Sequence, residues 1–455
     1  MKYVCSACSG ELLSGSPEKM IRRVCTDSRQ AQAGDLFFAL AGDRFDAHDF
    51  LPEVAQKGVA AVVVNRSRVP VDDLKCAVVA VEHTRAALGQ LAARYRLDFE
   101  LPVVAVAGSN GKTTTKELLA AVLRQKFSTV WSEASFNNDI GVPLTLLKLE
   151  HSHGAAVLEV GTNHPGELAP LLRMIQPQLG VLTGIGREHL EFFGDLAGVA
   201  QEEGWLAELL PAHGKLFANG DSEWTPLIAK RSKAEVVRVG FEVGNDWRAK
   251  NILLDEAGAR FQVVAPQQSW SGEYRVNLLG RHQVLNALFA IAVGAELGLS
   301  AEEIRRGLVA CEPPKMRLQT YEVNGVRVLD DAYNANADSM LAALQTLKDL
   351  PCAGKRVAVL GDMAELGQHS AAAHCEVGRR AAEFGIACLI AVGKWAGQTA
   401  DAARTAGLRD AVELADLSAV AAALKSKTKP GDVVLLKASR AAGFERLSAA
   451  LRESA

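Results

Sequence analysis

The stretch Ala107-Gly108-Ser109-Asn110-Gly111-Lys112-Thr113-Thr114-Thr115-Lys116 follows an apolar run, Val103 to Val106, and opens a segment with helical patterning. Strand, glycine turn and helix in that order make a cradle for phosphate. Glycines let backbone N–H groups approach phosphate oxygens, and the helix N-terminus adds partial positive charge. Lys112 is spaced to reach the terminal phosphates and Thr113 to ligate Mg²⁺, so the loop predicts a nucleoside triphosphate site. A full Walker pattern has a further glycine six residues before the lysine, where this chain has Val106, and only Gly108-x-x-Gly111-Lys112-Thr113 is intact. That shortened form argues against an ordinary kinase or GTPase loop.

Such a loop needs a parallel sheet behind it. Buried strands are predicted at Val103 to Ala107, Ala155 to Val160 and Leu179 to Thr183, each ending in a polar, glycine-bearing turn. This is the pattern of a doubly wound parallel sheet, whose ligands bind outside the strand carboxyl ends. Ahead of it, short apolar runs (Leu36 to Leu40, Val59 to Val64, Ala77 to Val81) and a helix-patterned Arg85 to Leu97 suggest a small α/β domain ending at Leu101-Pro102. Residues Gly240 to Tyr274 alternate apolar and polar positions as an antiparallel insertion would, a long helix is expected over Val284 to Leu297, and Glu312-Pro313-Pro314-Lys315 reads as a hinge. Strands near Val326 to Leu329, Arg356 to Leu360, Cys388 to Val392 and Val433 to Leu436 then suggest a Rossmann-like domain without its glycine fingerprint. The expected fold is α/β in three domains, 1–100, 101–312 and 313–455, in keeping with roughly 150 residues per domain.

Composition narrows the class. With 49% apolar and 23% charged residues the chain reads as a soluble globular enzyme, and a net charge of −3 implies no general attraction to nucleic acid or anionic membrane. Met1 to Leu12 lacks a signal pattern and no apolar run approaches the ~18 residues of a membrane span, so a cytoplasmic location is expected. Eight scattered cysteines make no disulfide framework; Cys5 and Cys8 form a lone C-x-x-C, read as two reduced thiols. His151 and His153 fall in a polar turn, and no feature demands more than a monomer.

Two strand ends beside the phosphates carry metal-binding residue types: Glu159, followed by Val160-Gly161-Thr162-Asn163-His164, and His189, preceded by Thr183-Gly184-Ile185-Gly186-Arg187-Glu188. A carboxylate and an imidazole there suit Mg²⁺, which neutralises charge on a transferring phosphoryl group. Taken alone, Glu159 reads equally well as a solvated carboxylate.

The whole set, in this order, resembles the Mur ligase family of peptidoglycan synthesis over essentially the entire chain. Family-wide pieces are Gly108 to Thr114, the Glu159 strand, His189 and Gly280-Arg281-His282-Gln283-Val284-Leu285-Asn286-Ala287. More specific pieces are Thr26 to Arg29 with Gly34 to Leu40, Asn137 to Pro143, Asp330 to Asn336, Gly361 to Gly367 and Lys437 to Arg440. The resemblance implies an ATP- and Mg²⁺-dependent amide ligase. Its substrates would be UDP-N-acetylmuramoyl-tripeptide and D-alanyl-D-alanine, joined through an acyl phosphate. It further implies that Lys112 holds the β- and γ-phosphates, that Thr113 and Glu159 hold one Mg²⁺ and that His189 helps hold a second. Asn286 would read adenine, and Arg317 and Asp331 would reach phosphates and ribose from the third domain by its closure. Ser28 and Arg29 would meet the uridine nucleotide and Asn138 the muramyl peptide. The turns carrying Tyr333, Asn334 and Asn336 and Asp362 to Gly367 would face the dipeptide.

Many relatives carry a lysine after the histidine strand that reacts with CO₂ to give a metal-ligating carbamate. Here the segment reads Ala200-Gln201-Glu202-Glu203-Gly204-Trp205, and the lysine position is Glu203. A glutamate supplies the same single negative charge and two oxygens on a shorter stem, so Glu203 is expected to replace the carbamate; the alternative is a solvated side chain. Ala438 and Phe444 replace a usual glycine and methionine. Two other readings stay open: a sibling ligase adding one amino acid or glutamates, and a nucleotide-binding protein without ligase activity.

Overall fold

Apolar runs become strands covered on both faces, and polar turns join them to helices. The computed structural model describes residues 1–42, 45–70 and 74–453. Contacts divide the chain into two compact units: Met1–Ala105 with Ser128–Thr162 and Ala169–Gln178, and Val106–Phe127 with Asn163–Leu168 and everything described from Leu179 on.

In the first unit, β1 (Glu11–Ser14), β2 (Val24–Cys25), β3 (Leu36–Phe38), β4 (Ala61–Asn65) and β5 (Ala77–Val81) form a sheet of order β1-β5-β4-β3-β2. All its pairings are parallel except β1 with β5. Alternate valines serve its two faces: Val63 packs with Leu36, Phe38 and Val79, whereas Val62 and Val64 pack with Phe37 and Ala39. The strand β6 (Val103–Ala107) begins in this unit, where Ala156 N–H donates to Pro102 just ahead of it, and β7 (Thr129–Trp131) pairs in parallel with β8 (Ala155–Glu159).

In the second unit β6 ends beside β9 (Leu179–Leu182), with Thr183 N–H donating to the Ala107 carbonyl. Next come β10 (Lys215–Asn219), β11 (Glu235–Gly240), β12 (Trp247–Asp255), β13 (Gly258–Val264) and β14 (Gly272–Val276). The expected antiparallel insertion starts later than the alternation suggests: β12 still pairs in parallel with β11, at Val239 and Trp247, and only β12, β13 and β14 are antiparallel. The helix His282–Glu296 is apolar nearly all round and buried accordingly.

A six-stranded sheet follows, of order β15 (Gln319–Val323), β16 (Val326–Asp330), β20 (Val433–Lys437), β17 (Arg356–Leu360), β18 (Cys388–Val392) and β19 (Ala411–Leu414). Only β15 with β16 is antiparallel. Ala358, Leu360 and Leu435 face one core and Val357, Val359, Val434 and Leu436 the other, so these strands carry almost no polar positions. The departures Ala438 and Phe444 are buried in the second of these cores, against Gly361. The α/β class is as the alternation predicted. Among the described residues no helix is long and apolar enough to cross a membrane.

Candidate active site

The loop after β6 is built for close approach. Gly108 sits at φ +110°, and a Cβ there would lie 2.5 Å from Thr183 Oγ1; Gly111 sits at φ +86°, with Asn286 Oδ1 2.6 Å from where its Cβ would be. Both positions need glycine for conformation and for space. The helix Lys112–Leu123 starts directly after Gly111, so the loop N–H groups lie at its positive end. Lys112 Nζ donates to the carbonyls of Gly108 (2.5 Å) and Ser109 (3.2 Å) and to Glu188 Oε2 (3.2 Å). Thr113 and Thr114 are buried in the first helical turn. Asn286 braces the loop from behind: its Oδ1 accepts from Thr115 Oγ1 (3.2 Å) and its Nδ2 donates to Gln283 (2.8 Å).

The turn after β9 is stitched to this loop. Ser109 N–H donates to the Gly184 carbonyl, and Gly186 N–H donates to Ser109 Oγ (2.8 Å). His189 follows in the left-handed region, φ 47°, and its Nδ1 meets Glu365 Oε2 at 2.5 Å; Glu365 is itself left-handed, φ 60°. Two strained residues in one contact mark a site whose surroundings hold it in place. The His189 hydrogen bond keeps the Glu365 carboxyl below its ordinary range. Fixing one ring nitrogen on a carboxylate is also how a metal-binding imidazole is oriented, with the other nitrogen turned outward.

Glu203 is not solvated. It closes the helix Leu196–Glu203, is 1% exposed, and its Oε2 accepts the Gly108 N–H at 2.7 Å. Its Oε1 is buried with no hydrogen-bond partner among the described residues. Burial pushes its carboxyl up to about 8, against the pull of Lys112 and the Gly108 bond and with the help of Glu188. A buried carboxylate with one orphaned oxygen beside the phosphate loop fits a hard cation. Among the described residues no three His, Cys, Asp or Glu converge as a ready-made metal cage.

Residues some two hundred positions further on reach the same loop. Arg317 lies between two left-handed residues, Met316 (φ 57°) and Leu318 (φ 52°), and its guanidinium donates to Thr113 Oγ1 at 2.9 Å while lying over the Tyr333 ring. Asn336 caps the helix Ala337–Asp349 and donates from Nδ2 to Asn110 Oδ1 (3.0 Å). Asp331 is bound by the buried Lys437 ammonium (2.6 Å) and accepts from Leu318 N–H (3.2 Å). The Asn334 carbonyl accepts from the same ammonium (3.2 Å), and Asn334 Oδ1 accepts from Arg440 N–H (3.4 Å). Lys437 had no role in the sequence reading beyond its motif, and Glu188 none beyond preceding His189.

The remaining predicted residues lie in the first unit. Glu159 ends β8, is 1% exposed, and its Oε1 accepts from Asn137 Nδ2 at 2.9 Å, so the solvated alternative for it also falls. Asn138 is exposed, and its Oδ1 caps the next helix by accepting from Ile140 and Gly141 N–H. The asparagine that touches the strand-end carboxylate is therefore Asn137, a residue quoted within the motif but given no role. Arg29 is exposed and bound to Asp27 through its backbone N–H and two guanidinium hydrogen bonds, and the Ser28 carbonyl accepts from Lys57 Nζ.

With this geometry in view, comparisons with known proteins fix the lineage. Family models match in three stretches: "Mur ligase family, catalytic domain" over residues 20–96, "Mur ligase middle domain" over 106–294 and "Mur ligase, glutamate ligase domain" over 316–440. The UDP-N-acetylmuramoyl-tripeptide--D-alanyl-D-alanine ligase of Escherichia coli is 38% identical over 95% of this chain and 94% of its own. The chain belongs to the Mur ligase family. Among solved Mur ligases, MurF from Acinetobacter baumannii superposes with a TM-score of 0.90 at 33% identity, covering 99% of this chain and 98% of that one. MurF from Thermotoga maritima in complex with ADP gives 0.84 at 27% identity, covering 96% and 99%.

Proposed function

We propose that this protein is an ATP-dependent amide ligase that joins D-alanyl-D-alanine to the carboxylate end of UDP-N-acetylmuramoyl-tripeptide. The observation that carries this is a shortened phosphate loop contacted by Arg317 and Asn336, in a chain similar along its full length to relatives of that name. It would act in the cytoplasm as a monomer. Residues 1–100 would take the uridine nucleotide substrate, 101–312 ATP, and 313–455, Rossmann-like, the dipeptide; the family matches at 20–96, 106–294 and 316–440 support this division.

A carboxylate is a poor electrophile at neutral pH. The γ-phosphoryl group of ATP is therefore transferred to a carboxylate oxygen first, breaking the bond to the β,γ-bridging oxygen and releasing ADP. The dipeptide amine then attacks the acyl carbon; the C–N bond forms, the amine loses a proton, and phosphate leaves with its electron pair. Such a reaction needs positioning and charge neutralisation but no protein nucleophile. Lys112 and the Gly108 to Thr114 N–H groups hold the phosphates, with Lys112 exchanging its loop carbonyls and Glu188 for phosphate oxygens. Thr113 and Glu159 would hold one Mg²⁺, and His189 and Glu203 a second. Bound Mg²⁺ supplies charge neutralisation at the transferring group. Asn286 keeps an amide hydrogen and a lone pair beyond its bonds to Gln283 and Thr115 for the adenine edge. Arg317 serves the phosphates and Asp331 the ribose. Ser28 and Arg29 serve the uridine nucleotide, Asn138 the muramyl peptide, and Tyr333, Asn334 and Asn336 the dipeptide side.

Phosphate release from Mg²⁺-ATP with UDP-N-acetylmuramoyl-tripeptide, with and without D-alanyl-D-alanine, tests the reading. Release requiring both substrates, with the pentapeptide nucleotide found by mass, is expected. Release with another amine but not this dipeptide would mean a sibling specificity.

A further inference from the structure

At the carboxyl ends of β17, β18 and β20 lies a cleft of about 410 Å³. Three strand-end turns build it, the arrangement in which open parallel sheets bind ligands. Asp362, after β17, spends both oxygens on the turn after β18: Oδ2 accepts from Lys394 N–H (2.8 Å) and Oδ1 from Trp395 N–H (3.0 Å). Gly393 permits this, since at φ +113° its Cβ would fall 2.5 Å from Asp362 Oδ2. The Asp362 carbonyl accepts from Ser439 N–H (3.0 Å), which ties in the turn after β20. His374 stacks on Trp395 and accepts from Met363 N–H (3.0 Å), so the walls are fixed from behind.

These bonds leave the cleft with a distinctive charge layout. Among the described residues Lys394 is its one cationic lining residue, and it is exposed. Among the described residues its ammonium has no carboxylate partner and lies only beside the Trp395 ring, at 5.3 Å. Glu365 and Glu191 line the same cleft and link it to His189. The rest of the wall is small or apolar, with Ala441 and Ala442 among it. An uncommitted ammonium, carboxylates on the His189 side and room for methyl groups suit a small zwitterion.

We propose that Lys394 is the specificity residue that binds the C-terminal carboxylate of D-alanyl-D-alanine, directing the dipeptide amine toward Glu365 and His189. This rests on the ligase reading above and adds to it an orientation and a residue. An ammonium–carboxylate contact discriminates strongly against a neutral amide, because the amide leaves the ammonium without its counter-charge.

The test compares D-alanyl-D-alanine with its C-terminal amide as substrates of the full chain and of Lys394→Met and Lys394→Arg. The wild type should prefer the acid by about ten- to hundredfold in kcat/KM, as expected for a hydrogen bond to a charged group. Lys394→Met should raise KM for the acid by that factor, leave KM for ATP unchanged and treat acid and amide alike, and Lys394→Arg should restore most of the preference. An acid-to-amide ratio unchanged in Lys394→Met would overturn the assignment, even if overall activity fell, because a purely structural role lowers both substrates together. A wild type that turns over neither dipeptide form would instead sink the ligase reading, and the subsite with it.

Discussion

A buried carboxylate in Glu203 is costly unless something compensates it. One oxygen has the Gly108 N–H; the other has nothing among the described residues, and Glu188 stands near enough to raise its proton affinity further. Lys112 offsets part of this, yet Lys112 is also the side chain proposed to turn to phosphate. A divalent cation bound with the nucleotide would supply the missing charge at the moment Lys112 moves. Because the carboxylate is built into the chain, activity should not depend on dissolved CO₂. Rates measured in CO₂-depleted buffer should match those with added bicarbonate. Glu203→Ala should fall by about a hundredfold, the scale of losing a charged group near a transferring phosphoryl, and partly recover with formate or acetate. Wild-type activity that vanished on CO₂ removal and returned with bicarbonate would count decisively against this.

Between residue and fold, the turn Thr183 to His189 serves two partners alternately. Gly186 and Glu188 bond the phosphate loop at Ser109 and Lys112. Arg187 bonds Asp338 (2.8 Å) and Glu376 (2.6 Å), from the helices Ala337–Asp349 and Ser370–Glu383, and His189 bonds Glu365. Arg187 N–H also donates to Asp338 (2.7 Å), two residues beyond Asn336, the partner of Asn110. The turn thus couples the loop to the six-stranded sheet's helices. Arg187→Ala should lower kcat about tenfold, and a cycle with Asp338→Asn should show a coupling energy of about 0.5–3 kcal/mol in kcat/KM; strictly additive effects would disprove the coupling. Much at this scale is legible beforehand. Strands β6, β8, β9, β17, β18 and β20 read as apolar runs whose few charged residues, Glu159, Arg356 and Lys437, stand at strand ends, since burial on both faces leaves no polar position between. β10, β15 and β19 do not, because Lys215, Asn219 and Gln319 at strand ends and Glu322 and Glu413 inside leave runs too short for a period of two to show. In the site, the loop residues are legible because their chemistry is local. The burial of Glu203 is not: Gln201-Glu202-Glu203 reads as a wet helix face, and its partner Gly108 is 95 residues away. The contact of Asn137 with Glu159 is hidden for a different reason, since two adjacent asparagines differ only in which way each points.

Within the second compact unit, the phosphate loop and the segment Arg317 to Asn336 are more than two hundred residues apart in sequence yet share hydrogen bonds. Reaching Thr113 puts Arg317 between two left-handed residues, each costing about 1–3 kcal/mol locally. Those conformations persist because Met316 and Leu318 are buried and their N–H groups donate to Gln319 Oε1 and Asp331 Oδ1 respectively. A strained segment held by a few contacts should respond to what fills the loop. A non-hydrolysable ATP analogue should therefore slow amide exchange in two places in the wild type, residues 108–115 and residues 316–336. In Arg317→Ala the analogue should still protect the loop, because its N–H groups are unaltered, while the distant protection should largely disappear. Tyr333 offers an internal control: it lies under both the Arg317 and Arg440 cations, so its surroundings lose only one of two neighbours in the variant. Equal protection of residues 316–336 in both proteins would mean that nucleotide is sensed there by another route, and Asn336 with Asn110 would be the next pair to separate.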